Sequence, residues 1–172
     1  KVALTAHWVD AAFKPMPDSR EKLFGLSKSR PVLLFTGRIS DEKGVLELPS
    51  ILAGVRREVP DACLVIAGTG PAEARLREEI PDALFLGWVD HKKLPAIYSS
   101  ADMLILPSKF DTFGCVVLEA LSCGLPVVSY NTKGPKEIII NGECGFIESN
   151  RKDMIASVIR YLGDRQIRGR MK

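Results

Sequence analysis

Two pairs of charged side chains in this sequence have the types and spacing to do chemistry. The first pair is Arg38 and Lys43, five residues apart in a glycine-containing stretch that follows an apolar run. A guanidinium can grip two phosphate oxygens at once, and an ammonium adds a mobile point charge, so this pair could bind a diphosphate. The alternative is a solvated loop in which both cations pair with Asp41 and Glu42.

The second pair is acidic, Asp111 and Glu119, eight residues apart. It flanks the start of an apolar helix predicted to begin near Phe113 and Gly114. A helix start exposes unsatisfied amide N–H groups and the positive end of the helix dipole, so it attracts anions. The two acids could accept hydrogen bonds from hydroxyl groups at opposite ends of a long ligand. The alternatives are a cap for Asp111 and a surface charge for Glu119.

Apolar runs that alternate with amphipathic helices must position these residues. This alternation is typical of an α/β fold with a parallel sheet flanked by helices. The strands are predicted at residues 32–36, 62–67, 83–86, 103–106, 127–130 and 145–147. Ligands of such sheets bind beyond the carboxyl ends of the strands, where both charged pairs lie.

Helices are predicted between these strands, and the first 29 residues are predicted to be irregular. The predicted helices are 45–59, 72–79, a segment that Asp90 caps, the stretch after Gly114, 135–140 and 154–162. Pro49 is expected to delay the start of the first of them. We interpret residues 1–29 as an entering segment or interdomain linker with one short strand at its start, and residues 30–172 as a single domain.

Composition excludes several classes of protein. The net charge is only +3 and no basic stripe is present, which argues against nucleic acid as a partner. No apolar run approaches the ~18 residues of a membrane span, so we expect a cytoplasmic chain. The four cysteines form no CxxC pair and only two histidines occur, so we expect no metal site and reduced, mostly buried thiols.

Taken together, the motifs resemble the nucleotide-sugar half of retaining glycosyltransferases of GT-B architecture, the group 1 or family-four class, which has two facing Rossmann-like domains. The resemblance runs from about Val9 to Met171, and each motif is weak by itself. Its landmarks are Gly37 to Gly44, Ala67-Gly68-Thr69-Gly70-Pro71, Phe85 to Val89, Asp111 to Ala120, Gly124 to Val128 and Asn141 to Phe146.

The resemblance implies roles for individual residues. Arg38 and Lys43 would bind the donor diphosphate, and Asp111 would contact the transferred sugar; these are the three expected catalytic residues. Glu119 is similar to the family glutamate that holds the nucleotide ribose. The other residues expected to bind the donor are Gly37, Trp88, Val89, Phe113, Gly114 and Cys115. For Trp88, ordinary packing is the alternative to stacking on the base.

Three departures from the family pattern stand out. The first acid is commonly glutamate and here is Asp111, one methylene shorter. The usual glycine pair before Glu137 is Lys133-Gly134, so the wall beside the sugar phosphate is expected to differ. His7-Trp8 replaces the usual Asn-Gly of the interdomain crossover.

The resemblance also implies that this chain is one half of a larger enzyme. The amino-terminal half would hold the acceptor, a glycan or lipid, together with any attachment to the inner membrane face. The chain alone is expected to bind a nucleotide sugar, without cofactor or metal ion, and to catalyse little.

Four other functions fit parts of the sequence. A glycoside hydrolase would also use two carboxylates, but it would not need the cation pair. A dehydrogenase domain fits the sheet, but no GxGxxG follows the first strand. A nucleotide-sugar epimerase and a noncatalytic nucleotide-sugar-binding or regulatory module remain open.

Overall fold

The computed structural model describes residues 9–171 as a twisted parallel sheet with helices on both faces. The strands are β1 (Val32–Thr36), β2 (Cys63–Ala67), β3 (Leu84–Gly87), β4 (Met103–Leu106), β5 (Val127–Tyr130) and β6 (Gly145–Glu148). They are ordered β3-β2-β1-β4-β5-β6, and every pair is parallel. The predicted α/β class is therefore confirmed. The strand expected at the chain start, like His7-Trp8, lies outside the described residues.

Eight α-helices occur within the described residues. They are α1 (Arg20–Phe24), α2 (Leu48–Arg56), α3 (Glu73–Glu79), α4 (Leu94–Ser99), α5 (Cys115–Ser122), α6 (Lys133–Ile138), α7 (Arg151–Gly163) and α8 (Arg165–Met171). Pro49 lies in the first turn of α2, after a short 3₁₀ turn, so the helix begins later than its apolar spacing suggests. Proline is tolerated there because the first helical N–H groups have no intrahelical acceptor.

The core forms two layers, one on each face of the sheet. One layer contains side chains of α2, α3, α7 and α8, and the other contains side chains of α1, α4 and α5. All five residues of β1 are buried, as are all four of β4. Burial on both faces explains why these strands are continuous apolar runs rather than alternating patterns.

Helix α1 corrects the expectation that residues 1–29 are irregular. Its Arg20 is only 4% exposed and makes a two-pronged ion pair with Asp102, with N–O distances of 3.1 and 3.4 Å. Asp102 also accepts a hydrogen bond from the Val32 amide at 2.8 Å, at the start of β1. Phe13 and Phe24 are buried in the α4–α5 layer. The boundary between residues 29 and 30 stays a prediction.

The strand order reverses between β1 and β4, and this reversal determines where the candidate site lies. The chain moves outward from β1 to β2 and β3, then returns to β4 on the other side of β1. The connections that follow β1 and β4 lead to helices on opposite faces, α2 and α5, and leave a crevice at the carboxyl edge, where ligands of open α/β sheets bind.

Candidate functional site

Two adjoining cavities occupy the crevice beyond β1 and β4. The larger is about 580 Å³ and the smaller about 230 Å³, and both are lined by Thr36, Gly37 and Val116. The larger cavity is also lined by Arg38, Ala67, Gly68, Thr69, Gly70, Pro71, Trp88, Val89, Leu94, Tyr98 and Glu119. The smaller is also lined by Lys43, Leu106, Asp111, Thr112, Phe113, Gly114 and Cys115. The two cavities together could hold one elongated ligand.

Arg38 is held at this crevice by the backbone on either side of it. The Gly37 amide donates to the Ala67 carbonyl and the Ile39 amide to the Thr69 carbonyl, both at 3.0 Å. Ile39 is fully buried while Arg38 is exposed. The loop after β1 is thus fastened to the loop after β2, and the guanidinium is left on the wall of the larger cavity.

Lys43 reaches the smaller cavity because Gly44 allows two loops to meet. Gly44 has a φ of +68°, and a Cβ on it would lie 2.0 Å from the Pro107 carbonyl oxygen. The Ser108 hydroxyl lies at the same contact, with its oxygen 2.8 Å from the Phe110 carbonyl oxygen and 3.2 Å from that of Glu42. The loop carrying Lys43 therefore lies against the loop carrying Asp111.

The Asp111 carboxylate occupies the start of α5. Its Oδ1 accepts from the amides of Phe113 at 3.2 Å and Gly114 at 2.8 Å, and its Oδ2 lies 3.1 Å from Lys43 Nζ. The side chain is only 8% exposed. Two of the three amides expected to bind phosphate thus donate to Asp111, while no acceptor among the described residues serves the Cys115 amide. Asp111 therefore holds the turn that precedes α5, and the N-cap residue of the helix itself is Gly114.

Glu119 lies at the other end of the crevice, in a hydrogen-bonded chain that the sequence did not reveal. Tyr98 donates its hydroxyl to Glu119 Oε2 at 2.8 Å, and its oxygen lies 3.0 Å from Thr36 Oγ1. Burial, with the nearby Glu119 charge, raises the pKa of Tyr98 well above its usual value. Tyr98 therefore stays protonated, and because its one proton faces Glu119, Thr36 must be the donor to Tyr98.

His91 is a second partner of Glu119 that sequence analysis missed. Its Nε2 lies 3.6 Å from Glu119 Oε1, and its ring meets Phe13 edge-on with centroids 4.8 Å apart. The Glu119 side chain is 16% exposed, so the surface-charge alternative does not describe it. The hydrogen bond from Tyr98 holds one oxygen of the carboxylate, His91 lies near the other, and Glu119 lines the larger cavity.

Trp88 and Val89 line the larger cavity as expected. Trp88 is 75% exposed, so ordinary packing does not explain it. Gly68 and Gly70 line the same cavity. A flat apolar surface such as the Trp88 ring can stack against a planar ring.

Every residue expected at the site lines one of the two cavities. The structure adds Thr36, Tyr98 and Val116 to the lining, and places His91 next to Glu119. A buried tyrosine hydroxyl normally has a hydrogen-bond partner, and this was the available signal for Tyr98. Cys115 is also at the site and is exposed, contrary to the expectation of mostly buried thiols; Cys63 and Cys123 are buried, Cys144 is half-buried, and all four are unpaired. None of the helices within residues 9–171 is both long and apolar enough to cross a bilayer.

Comparison with protein families identifies one that covers most of the chain. A sequence model of the family described as "Glycosyl transferases group 1" matches residues 18–172. A glycogen synthase from Mycobacterium tuberculosis is 36% identical over 146 residues, covering 81% of this chain and 33% of the relative. A GDP-mannose-dependent alpha-mannosyltransferase from Corynebacterium glutamicum is 35% identical over 121 residues, covering 70% of this chain and 28% of the relative. The chain thus spans about a third of the length of these relatives.

A solved structure matches the fold over nearly its whole length. It is the C-terminal domain of a glycosyl transferase group 1 family protein (LpcC) from Francisella tularensis, with a TM-score of 0.79 and 20% sequence identity. The match covers 93% of this chain and 90% of that domain. The Rossmann-like fold of a GT-B carboxyl-terminal domain, expected from the motifs, is confirmed.

Proposed function

Since the chain belongs to the group 1 glycosyltransferase family, we propose that it binds the nucleotide-sugar donor of a hexosyl transfer reaction. The acceptor, a glycan or a lipid, would be held by a further domain. The observation that carries this proposal is the pair of joined cavities, one bordered by Trp88, Glu119 and Arg38, and the other by the Lys43 ammonium and the residues at the start of α5.

The larger cavity has the chemistry of a nucleoside site. Trp88 offers a ring face to the base, and the backbone of the loop after β2 lies beside it. Glu119, fixed by Tyr98, would accept hydrogen bonds from the two ribose hydroxyls. A carboxylate suits this role because it only accepts, and a ribose presents adjacent O–H donors.

The smaller cavity, together with Arg38 at the border, has the chemistry of a diphosphate site. Breaking the bond between the anomeric carbon and the diphosphate places growing negative charge on the leaving phosphate. Arg38, Lys43 and the start of α5 would stabilise that charge without a metal ion. Preorganised donors aimed at developing charge commonly supply the largest part of catalysis. The family resemblance supports retention of configuration at the anomeric carbon, with the acceptor attacking on the face that the diphosphate leaves.

A titration tests this proposal. The chain is titrated with UDP, GDP and ADP and with the parent nucleosides, and its thermal unfolding is followed. A ligand at 100 times its dissociation constant should stabilise the fold by about 2.7 kcal/mol, which gives a clear shift. One diphosphate should bind more tightly than its nucleoside, which also identifies the base. If no diphosphate is preferred over its nucleoside, the chain has no diphosphate site and the proposal is wrong.

A noncatalytic nucleotide-sugar-binding module is the alternative function. It shares the donor site but transfers nothing. An assay of the full-length protein distinguishes the two functions. The protein is supplied with the preferred donor and a panel of glycan and lipid acceptors, and release of the free nucleoside diphosphate is measured.

A further inference from the structure

Asp111 places a negative charge where the donor's terminal phosphate is proposed to bind. Three donors converge on its carboxylate: the amides of Phe113 and Gly114, and the Lys43 ammonium. These are the groups that would bind an anion at the start of α5. The Asp111 carboxylate is therefore an anion of the chain itself that binds these donors.

The Asp111 carboxylate has little room to move away from a bound phosphate. Its side chain is 8% exposed and both oxygens have partners on the wall of the small cavity. The carbonyl of the same residue accepts from the Gly134 amide at 3.0 Å, which fixes the backbone. A phosphate that contacts Lys43 and the Cys115 amide would thus lie beside a held negative charge.

The two forms of nucleotide that must use the site differ in charge at this point. In a nucleotide sugar the terminal phosphate is a diester with one negative charge. In the free diphosphate it is a monoester, whose second ionisation lies near pH 6, so it carries about one charge more at neutral pH. A fixed carboxylate repels the more highly charged phosphate more strongly.

We propose that Asp111 is a specificity-determining residue that disfavours the free nucleoside diphosphate relative to the nucleotide sugar. The inference rests on the proposed donor site. Its consequence is that the free diphosphate left after transfer binds less tightly than the nucleotide sugar would without this added charge, because cleavage of the sugar bond adds charge next to Asp111. This role differs from contact with the sugar hydroxyls, which would strengthen donor binding without affecting the free diphosphate.

The test is to replace Asp111 by asparagine and measure the affinity for three ligands: the preferred nucleoside diphosphate, its terminal methyl ester and its hexose ester. Asparagine keeps a side-chain oxygen that can accept from the Phe113 and Gly114 amides, and it removes the charge. We expect the affinity for the free diphosphate to rise about tenfold, since this factor lies between the values for two unit charges a few ångströms apart in water and near a protein surface. The methyl ester, with one charge fewer and no sugar hydroxyls, should gain less.

Asp164 provides a matched control. Its Oδ1 likewise accepts from the amides two and three residues ahead, Gln166 at 2.7 Å and Ile167 at 3.1 Å, although these two amides lie inside the first turn of α8. Asp164→Asn should leave all three affinities unchanged. If Asp111→Asn disturbs folding, Asp111→Ser retains a capping oxygen without charge and should show the same gain.

The outcomes separate this inference from the proposed function. If the unsubstituted chain prefers the diphosphate over the nucleoside, but Asp111→Asn leaves diphosphate affinity unchanged or lowers it, the inference is wrong and the donor site stands. A selective loss of hexose-ester affinity would likewise assign Asp111 to sugar contact alone. If the unsubstituted chain shows no preference for the diphosphate, both proposals fail.

Discussion

Replacing Lys43 by glutamine should weaken binding of a nucleoside diphosphate and leave the nucleoside unaffected. Lys43 lines the smaller cavity, whereas the proposed nucleoside contacts line the larger one. Glutamine retains most of the apolar stem and removes the charge. Asp111 would keep its two amide donors, so the start of α5 should remain formed.

The size of the effect follows from the surroundings of the ammonium. Two unit charges about 4 Å apart interact by roughly 4 kcal/mol at the effective dielectric constant near a protein surface. Lys43 is 35% exposed and already lies 3.1 Å from Asp111. Solvent screening and loss of that ion pair reduce the net gain from phosphate to about 1–2 kcal/mol. We therefore expect diphosphate affinity to fall about 5- to 30-fold.

The assay is isothermal titration of the diphosphate and the nucleoside at two salt concentrations. The loss caused by Lys43→Gln should be smaller at high salt, because ions screen a partly exposed charge. Lys22→Gln is the control, since Lys22 is an exposed cation of α1, outside both cavities. Equal losses for diphosphate and nucleoside would refute the assignment, because they would show that Lys43 supports the site as a whole rather than its phosphate end.

Three further substitutions test how the site and fold are supported. Tyr98→Phe should cost about 1–3 kcal/mol of unfolding free energy, because it removes a donor to the mostly buried Glu119, and should weaken nucleoside binding; urea unfolding and titration measure the two effects. Gly44→Ala should lower both stability and diphosphate affinity, since its Cβ would overlap a carbonyl oxygen. Gly25→Ala is its control: Gly25 has a φ of +67° and no atom within 4 Å of the added Cβ, so this change should show only the backbone cost of about 1–2 kcal/mol. Arg20→Ala should destabilise the fold by about 3–5 kcal/mol in urea unfolding, because it leaves a buried carboxylate unpaired.

The strands could be predicted from sequence because their signal is local. Val32 to Thr36 and Met103 to Leu106 match β1 and β4 residue for residue, and β2 begins one residue later than predicted. A central strand covered on both faces must be apolar throughout, so burial appears directly in the sequence as an uninterrupted run. The position of the site at the carboxyl edge followed from the same pattern.

Helix α1 could not be predicted, because its stability is not local. Five residues are too few to form a stable isolated helix. Its Arg20 is held by Asp102, which lies 82 positions later in the chain. The proline-rich stretch before it shows no helical spacing. Asp18 gives local support by accepting from the amide and the Nε of Arg20, both at 2.9 Å, but the contact that anchors the helix to the sheet is tertiary.

The partners within the site were also beyond sequence analysis. Spacing placed Asp111 near a helix start and Lys43 at a strand end, but their pairing joins residues 68 positions apart. The hydrogen bond from Tyr98 to Glu119 could not be predicted either, because Tyr98 stands among apolar residues of α4 and has the pattern of a core residue. Residue type and spacing indicate which groups reach a sheet edge; packing between loops decides which groups meet.

That packing gives a physical reason for several of the glycines that carry the family resemblance. A Cβ on Gly68 would lie 1.9 Å from the Gly37 carbonyl oxygen, and one on Gly134 would lie 2.7 Å from the Gly114 amide nitrogen. In both cases the nearest obstacle is backbone of a neighbouring loop. Gly134 is the retained member of the usual glycine pair, and Lys133 replaces the other. These glycines allow backbone to meet backbone, which in turn fixes the loops carrying Arg38 and Asp111. A side chain at Gly68 should therefore weaken phosphate binding by displacing the loop that carries Arg38, and one at Gly134 should weaken it by displacing the backbone of Phe113 and Gly114 at the start of α5.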